Sequence, residues 1–398
     1  MVQTTPETVS TAVARPRRRG ETASLTRRID AAQGAIAALR TPCSAIEGEE
    51  IDLSCTDYLR LRGHAAIADA AIGELKGDCG NIYMSAAFLT DSTMQRAVER
   101  KFAAFLSAED AVLCQSGWCA NVGLMQAVTD EKTHVYLDEH VHAGVWDGAT
   151  SAGAIVHAVR HNDPSDLERL LKTHGPGVVV VSSVYPGDGS IAPLASLARL
   201  AKSEGCEMAV DETHSIGVFG RHGEGLVSAL GLADRVNYRL FSLSKAMGTR
   251  AGMVAGPARI VDFFRYESRP AIFSSAVLQY EIAGLAAALD VVQEEDWRRD
   301  RLRGNTKALR AGLRVAGFGI DADGSQLMPV FNGSLAEAEA LRAELAQRQL
   351  KTSVIAPSPN APNSAYVRLA ANSAISTDEI HRVVAICGDV LSKRSAAS

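Results

Sequence analysis

The chain has 398 residues and a formal net charge of −5, from 41 basic and 46 acidic side chains. This length allows a large core and two domains, and the negative balance gives no electrostatic support for binding nucleic acid. Seven cysteines without a Cys-x-x-Cys spacing favour reduced thiols over a disulfide framework, and no apolar run is long enough to span a membrane. We therefore expect a cytoplasmic protein.

The first 50 residues are rich in Thr, Ser, Ala and Pro and contain a basic cluster at 15–19. This composition is typical of a disordered arm. A transit peptide is the alternative, which the acidic residues Glu7 and Glu21 disfavour.

Short apolar runs alternate with helix-length segments after the arm. The runs lie at 111–114, 135–137, 155–158, 178–181, 208–210 and 238–241. Their alternation predicts an α/β fold with a doubly wound, mainly parallel sheet. A further strand is predicted at 252–256, and its short link from Lys245 suggests an antiparallel orientation.

The last third of the chain predicts a smaller domain. A long helix is expected over 277–314, where apolar residues recur at helical spacing. Beyond it we predict strands at 327–331 and 366–369, helices at 335–349 and 377–391, and a loop at 357–363 that either borders a substrate pocket or only connects surface elements. The predicted division is an arm at 1–50, a large domain at 51–290 and a small α+β domain at 291–398.

Two residues carry the strongest chemical signal. Asp211 ends an apolar strand, and Lys245 lies in a small, hydroxyl-rich segment. Singly, they fit a helix cap and a solvated loop lysine. Together, at the carboxyl ends of parallel strands, they suit pyridoxal phosphate (PLP), which needs a carboxylate for its pyridine nitrogen and an amine to hold its aldehyde carbon.

Four segments extend this pattern: 211–217 (DETHSIG), 242–246 (SLSKA), 116–121 (SGWCAN) and 161–163 (HND). They resemble the α-oxoamine synthases, a family of fold-type I PLP enzymes that condense an amino acid with an acyl-CoA and release CO2. The likeness runs from about residue 51 to the C-terminus. The runs that are most similar to quorum-sensing autoinducer synthases of the CqsA type are 84–89, 115–118, 245–252 and 270–275.

The resemblance implies roles for the residues around the cofactor ring. Lys245 would hold the cofactor and then act as general base, while Asp211 would keep the pyridine nitrogen protonated. His214 matches a histidine that contacts the ring hydroxyl oxygen, and His142 matches a histidine that stacks on the ring face. A structural histidine is the alternative for His214. A metal cluster of His134, His140 and His142 is disfavoured, because no third-ligand pattern recurs elsewhere in the chain.

A phosphate site is predicted where a glycine opens a helix, since free N–H groups and the helix dipole favour an anion. The residues proposed to surround the phosphate are Ser116, Gly117, Trp118, Cys119, Ser242 and Ser244. By resemblance, Ser275 would reach the neighbouring subunit's phosphate, which implies a homodimer. Arg368 would bind the amino-acid carboxylate through its planar fork; a structural ion pair is the alternative.

Some positions depart from the family pattern. Met84 and Ala86 replace residues of a Gly-Ser-Arg motif, and Arg250 stands where many members have glycine. These differences point away from 7-keto-8-aminopelargonate, 2-amino-3-ketobutyrate and aminolevulinate synthases. The expected substrates are a small amino acid or a four-carbon donor derived from S-adenosylmethionine, with a medium-chain acyl-CoA. The alternatives are a serine palmitoyltransferase-like enzyme and a non-catalytic scaffold with the same fold, although a scaffold predicts a lost lysine and Lys245 is present.

Overall fold

A computed structural model of the protein describes residues 50–77, 83–356 and 365–397. The predicted loop at 357–363 and all but the last residue of the predicted arm lie outside these residues. Twelve strands occur in the described chain: β1 Ile51–Asp52, β2 Asp110–Cys114, β3 His134–Asp138, β4 Ile155–Val159, β5 Val178–Ser182, β6 Glu207–Asp211, β7 Tyr238–Ser242, β8 Gly252–Gly256, β9 Leu327–Gly333, β10 Leu350–Lys351, β11 Ser353–Ile355 and β12 Ala365–Ala370.

Seven of these strands form one sheet in the order β2-β8-β7-β6-β5-β3-β4. Strands β4, β3, β5, β6 and β7 are mutually parallel, whereas β8 is antiparallel to both β2 and β7. The predicted fold class is therefore confirmed, and so is the antiparallel strand at 252–256. The valine run of β5 is buried at every position, as expected for a strand that is covered on both faces.

Helices cover the sheet and build the C-terminal region. Within the described residues they are α1 Ala65–Lys76, α2 Met94–Leu106, α3 Gly117–Val128, α4 Ala143–Ser151, α5 Pro164–His174, α6 Leu194–Ser203, α7 Leu226–Ala229, α8 Ala258–Glu267, α9 Arg269–Ile272, α10 Gln279–Glu294, α11 Asp296–Val315, α12 Leu335–Gln347 and α13 Thr377–Ala397, with a 3₁₀ turn at Ala86–Phe88. No helix in this part of the chain is long and apolar enough to cross a bilayer.

The long helix predicted at 277–314 is divided into α10 and α11. Glu295, between them, has a non-helical ψ of 60°. Its carboxylate bonds Arg298 at 2.6 Å and His64 at 3.3 Å. Because no Pro or Gly marks this position, periodicity alone does not reveal the break.

The C-terminal region contains a three-stranded antiparallel sheet of order β11-β12-β9. Strand β1, at the start of the predicted large domain, pairs in parallel with β10 in the predicted small domain. The chain that follows β1 is thereby held beside the C-terminal region. The predicted domain boundary at residue 290 stays a prediction.

Candidate active site

The carboxyl ends of the parallel strands bring the predicted site residues together. Strands β5, β6 and β7 are neighbours, with Asp211 in register with Ser182 on one side and Leu240 on the other. Such an edge is where open α/β sheets bind ligands. The segment that carries Lys245 leaves β7 at this same edge.

The turn after β6 is held by a buried carboxylate. Glu212 is fully buried and accepts hydrogen bonds from Arg239 Nε at 2.5 Å and from the backbone of Val227 at 2.9 Å. Gly217 closes the turn with a φ of +76°, and a Cβ there would lie 2.7 Å from Cβ of Ala246. A glycine is therefore needed for the turn to approach the residue next to Lys245.

Lys245 and Asp211 lie close enough for their charges to interact. Lys245 is half-buried, and burial lowers the pKa of its amine, an effect that the nearby Asp211 carboxylate opposes. Asp211 is 6% exposed, and its Oδ1 accepts the backbone N–H of Thr213 at 2.9 Å. An amine with a lowered pKa is the form that a nucleophile or general base requires.

His214 is buried and is held at both its ring and its backbone by hydrogen bonds. Its Nδ1 lies 2.6 Å from the hydroxyl of Tyr58, and its carbonyl accepts a hydrogen bond from Gln326 at 2.8 Å. Burial lowers the pKa of His214 well below its ordinary value and raises the pKa of Tyr58. The ring is therefore neutral, and one hydrogen is shared between its Nδ1 and the Tyr58 hydroxyl.

Arg368 projects from β12 into the same region and is only 4% exposed. Its Nη1 donates to the carbonyl of Pro186, whereas its buried Nε has no hydrogen-bond partner among the described residues. Burial lowers its pKa, although an arginine remains charged. A buried guanidinium without a carboxylate is costly, so this arrangement suits an anionic ligand.

The predicted phosphate loop opens helix α3. Ser116 caps this helix, and its Oγ accepts the backbone N–H of Cys119 at 3.2 Å. Gly117 lies directly against β7, because a Cβ on it would come within 2.6 Å of Cβ of Ser242. Ser242 and Ser244 share a hydrogen bond of 2.8 Å between their hydroxyls. The structure thus brings these predicted phosphate residues together around one helix N-terminus.

His142 contacts Trp118 of the predicted phosphate loop. His142 is exposed and caps helix α4, with its Nδ1 accepting the Gly144 N–H at 3.0 Å. Trp118 meets it edge-on, with ring centroids 5.9 Å apart. Ser275 is also exposed, and its carbonyl accepts a hydrogen bond from Gln115, next to the phosphate loop of the same chain.

Three contributors were missed by the sequence reasoning. Tyr58 reaches His214 from 156 residues away, Gln326 holds the His214 backbone, and the hydroxyl of Thr213 accepts the Ser242 N–H at 2.8 Å. No motif marks Tyr58 or Gln326. Thr213 lies inside the recognised 211–217 segment and could have been proposed from its position.

The chemistry of these groups fits PLP. A glycine cradle lies at a helix N-terminus, and a carboxylate and an amine of lowered pKa lie near each other. A buried guanidinium nitrogen lacks a partner within the part of the chain that the structure describes. A sequence comparison decides the family, since the aminotransferase class I and II model matches residues 49–386. The chain belongs to the aminotransferase class I and II family.

Relatives within this family agree with the resemblance drawn from the motifs. The chain is 35% identical to the CAI-1 autoinducer synthase of Vibrio campbellii over 335 residues, covering 84% of this chain and 85% of that protein. It is 32% identical to the 8-amino-7-oxononanoate synthase of Symbiobacterium thermophilum, covering 86% and 89%. The α-oxoamine synthase assignment, the PLP cofactor and the acyltransferase class are confirmed.

Solved structures show the same fold. A serine palmitoyltransferase from Sphingomonas wittichii superimposes with a TM-score of 0.82 at 22% identity, covering 92% of this chain and 97% of that one. The 8-amino-7-oxononanoate synthase of Francisella tularensis gives a TM-score of 0.76 at 21% identity, covering 87% and 99%. These likenesses show that the chain shares the fold of both enzymes.

Proposed function

We propose that this α-oxoamine synthase condenses a small amino acid, or a four-carbon donor derived from S-adenosylmethionine, with a medium-chain acyl-CoA. The products would be CO2, free CoA and an α-aminoketone that serves as a precursor of a quorum-sensing signal. The observation that carries the proposal is the convergence of Lys245, Asp211, His214 and Arg368 at one edge of the sheet. The similarity to the Vibrio campbellii enzyme supports the choice of substrates.

PLP, when bound, supplies an aldehyde that condenses with amines and an electron-withdrawing ring. In our proposal Lys245 holds it covalently, and the freed Nζ then takes the α-proton of the amino acid. Burial lowers the pKa of this amine, which favours the unprotonated form that can act as a base.

Asp211 and His214 would hold protons at two different atoms of the ring. The Asp211 carboxylate would keep a proton on the pyridine nitrogen by opposite charge. In our proposal Tyr58 donates to His214 Nδ1, so that Nε2 carries the hydrogen that is offered to the ring hydroxyl oxygen. Both effects depend on the low exposure of these side chains, which limits competition from water.

Arg368 would bind the carboxylate of the amino acid. Its Nε has no partner among the residues that the structure describes, and its planar fork therefore offers a two-point contact beyond the bond to the Pro186 carbonyl. The hydroxyls of Ser242 and Ser244 and the N–H groups that begin α3 would bind the phosphate.

We also propose that the working form is a homodimer. The segments at 83–88 and 271–276 are joined by a hydrogen bond from Ala276 N to the Tyr83 carbonyl at 2.9 Å. Both expose large apolar side chains: Met84 is 76% exposed and Phe273 is 81% exposed. A second copy of the chain would cover this surface and bring its Ser275 to the partner's phosphate, as the resemblance implies.

Product analysis tests the proposed reaction. The enzyme loaded with PLP is incubated with each amino-acid donor and acyl-CoA in turn, and the products are identified by mass spectrometry. We expect an α-aminoketone from a four-carbon donor and a medium-chain acyl-CoA, and no product from Lys245→Ala. Turnover confined to other substrates would overturn the substrate assignment while leaving the reaction class intact.

An 8-amino-7-oxononanoate synthase is the second candidate. It is favoured by the 32% identity and nearly complete coverage of the Symbiobacterium thermophilum relative. The residues at 84–86 and at Arg250 depart from the motifs expected of that branch. Efficient formation of 8-amino-7-oxononanoate in the same product analysis would establish this second function.

A further inference from the structure

A second group of polar side chains lies apart from the proposed PLP contacts. His140, His161 and Asp188 approach one another in the loops that follow β3, β4 and β5, with one ligand atom from each within 4.8 Å of the others. All three are half-buried. A cluster of His140 with His134 and His142 is disfavoured by the sequence, and in the structure His134 lies against His157 while His142 caps the start of α4.

His161 is the best-oriented member of this group. Its Nδ1 lies 3.0 Å from Asp138 Oδ1, and Asp138 also accepts the backbone N–H groups of His140 and Asn162. A carboxylate on one ring nitrogen orients the imidazole, as in many metal sites. The other nitrogen, Nε2, lies 3.5 Å from Asp188 Oδ2 and 2.9 Å from the hydroxyl oxygen of Ser190, so a bound ion would replace the proton on Nε2 and its contact with Ser190.

The spacing agrees with ligands around one small ion. Nitrogen and oxygen ligands at about 2.0–2.2 Å from a tetrahedral zinc lie roughly 3.3–3.6 Å from each other. The His161–Asp188 distance of 3.5 Å falls in this range. The His140 ring is stacked on His161 with centroids 4.0 Å apart, so it needs a side-chain rotation to aim its nitrogen at the same point.

A fourth ligand is available beside Nε2. The side-chain amide nitrogen of Asn162 lies 3.2 Å from His161 Nε2, while its buried Oδ1 has no hydrogen-bond partner among the described residues. Amide nitrogen and oxygen are interchangeable by a flip. The flipped amide places its oxygen 3.2 Å from His161 Nε2, within reach of an ion bound at that nitrogen.

We propose that His140, His161 and Asp188 form a site for a divalent transition metal ion of the zinc type, with Asn162 Oδ1 or water as the fourth ligand. Two imidazoles and one carboxylate favour zinc, cobalt or nickel over magnesium or calcium, which prefer ligand sets of oxygen alone. The ion would connect the loops that follow the neighbouring strands β3, β4 and β5. One of its ligands, His140, lies two residues before His142. The proposal does not depend on the identity of the substrates.

The test measures Zn2+ binding to the enzyme loaded with PLP, after treatment with EDTA, in competition with a chromogenic chelator. We expect one Zn2+ per chain and no comparable binding of Mg2+. Asp188→Asn keeps an acceptor for the Ser190 N–H and hydroxyl, which both bond Asp188 Oδ1, so it should fold normally. It should weaken Zn2+ binding at least about tenfold, and His140→Phe should do the same.

A matched control separates this site from another histidine group. His157 lies 2.8 Å from His134 and stacks on His174, outside the proposed site. His157→Phe should leave Zn2+ affinity unchanged. Cobalt substitution adds a second readout, because visible absorption of bound Co2+ should be lost in Asp188→Asn. The proposal is overturned if the wild type takes up no Zn2+, if both site variants bind as tightly as the wild type, or if His157→Phe is the variant that loses binding.

Discussion

Replacing Arg368 with methionine should separate stability from substrate binding. The guanidinium is 4% exposed, and within the described chain its Nε has no partner. A buried donor without a partner costs about 1–3 kcal/mol, and an apolar side chain of similar length removes that cost. Without amino acid, we therefore expect the free energy of unfolding of Arg368→Met to equal that of the wild type or to exceed it by up to about 2 kcal/mol.

The same variant should bind the amino acid poorly. A two-point, charge-assisted contact contributes about 2–3 kcal/mol, which corresponds to a loss of roughly 30- to 150-fold in kcat/KM for the amino acid. Arg368→Lys is the matched control, since it keeps the charge but not the fork, and we expect it to raise KM for the amino acid while leaving acyl-CoA affinity nearly unchanged.

Two measurements check this reasoning. Urea unfolding gives the free energy of unfolding without substrate, and titration of the cofactor absorbance gives amino-acid affinity. If Arg368→Met lost more than about 3 kcal/mol of stability, the arginine would be a satisfied structural group. If amino-acid binding stayed normal while acyl-CoA binding fell, Arg368 would belong to the CoA channel instead.

Four further changes test other parts of the site. Asp211→Asn should retain PLP but lose roughly a thousandfold in kcat, equivalent to about 4 kcal/mol; near-normal turnover would make Asp211 a structural cap. Gly117→Ala, which puts a Cβ within 2.6 Å of Ser242, should weaken PLP affinity measured by cofactor titration, whereas Gly304→Ala in open space should not. Mixed dimers of Lys245→Ala and a Ser275→Trp variant should regain activity after subunit exchange, because one site then carries neither lesion; no recovery after proven exchange would place Ser275 outside the partner's site. Burial holds the pKa of His214 well below the ordinary 6.5, so below pH 6.5 the unfolded chain binds a proton that the folded chain does not. The free energy of unfolding should therefore fall by about 1 kcal/mol from pH 6.5 to pH 5.5. An equal fall in His214→Gln would contradict this assignment.

Local patterns in the sequence predict much of the fold. Buried strands such as β5 are short apolar runs, and their alternation with helices predicts a parallel sheet whatever the connecting loops contain. The position of Asp211 at a strand end and of Lys245 just after another also follows from the chain order. What could not be predicted locally was the break at Glu295, which depends on its bonds to His64 and Arg298.

The contacts between distant segments were decided by the tertiary structure alone. Tyr58 reaches His214 from a segment that is held beside the C-terminal region, by the pairing of β1 with β10 and by the Ser373 N–H bond to the Tyr58 carbonyl. The burial of Arg368, whose Nε has no partner among the described residues, depends on the rest of the fold. The grouping of His140 with His161 and Asp188 likewise depends on which strands are neighbours in the sheet. Sequence spacing determines which face of a helix or strand a residue occupies, but only tertiary packing determines which residues it contacts.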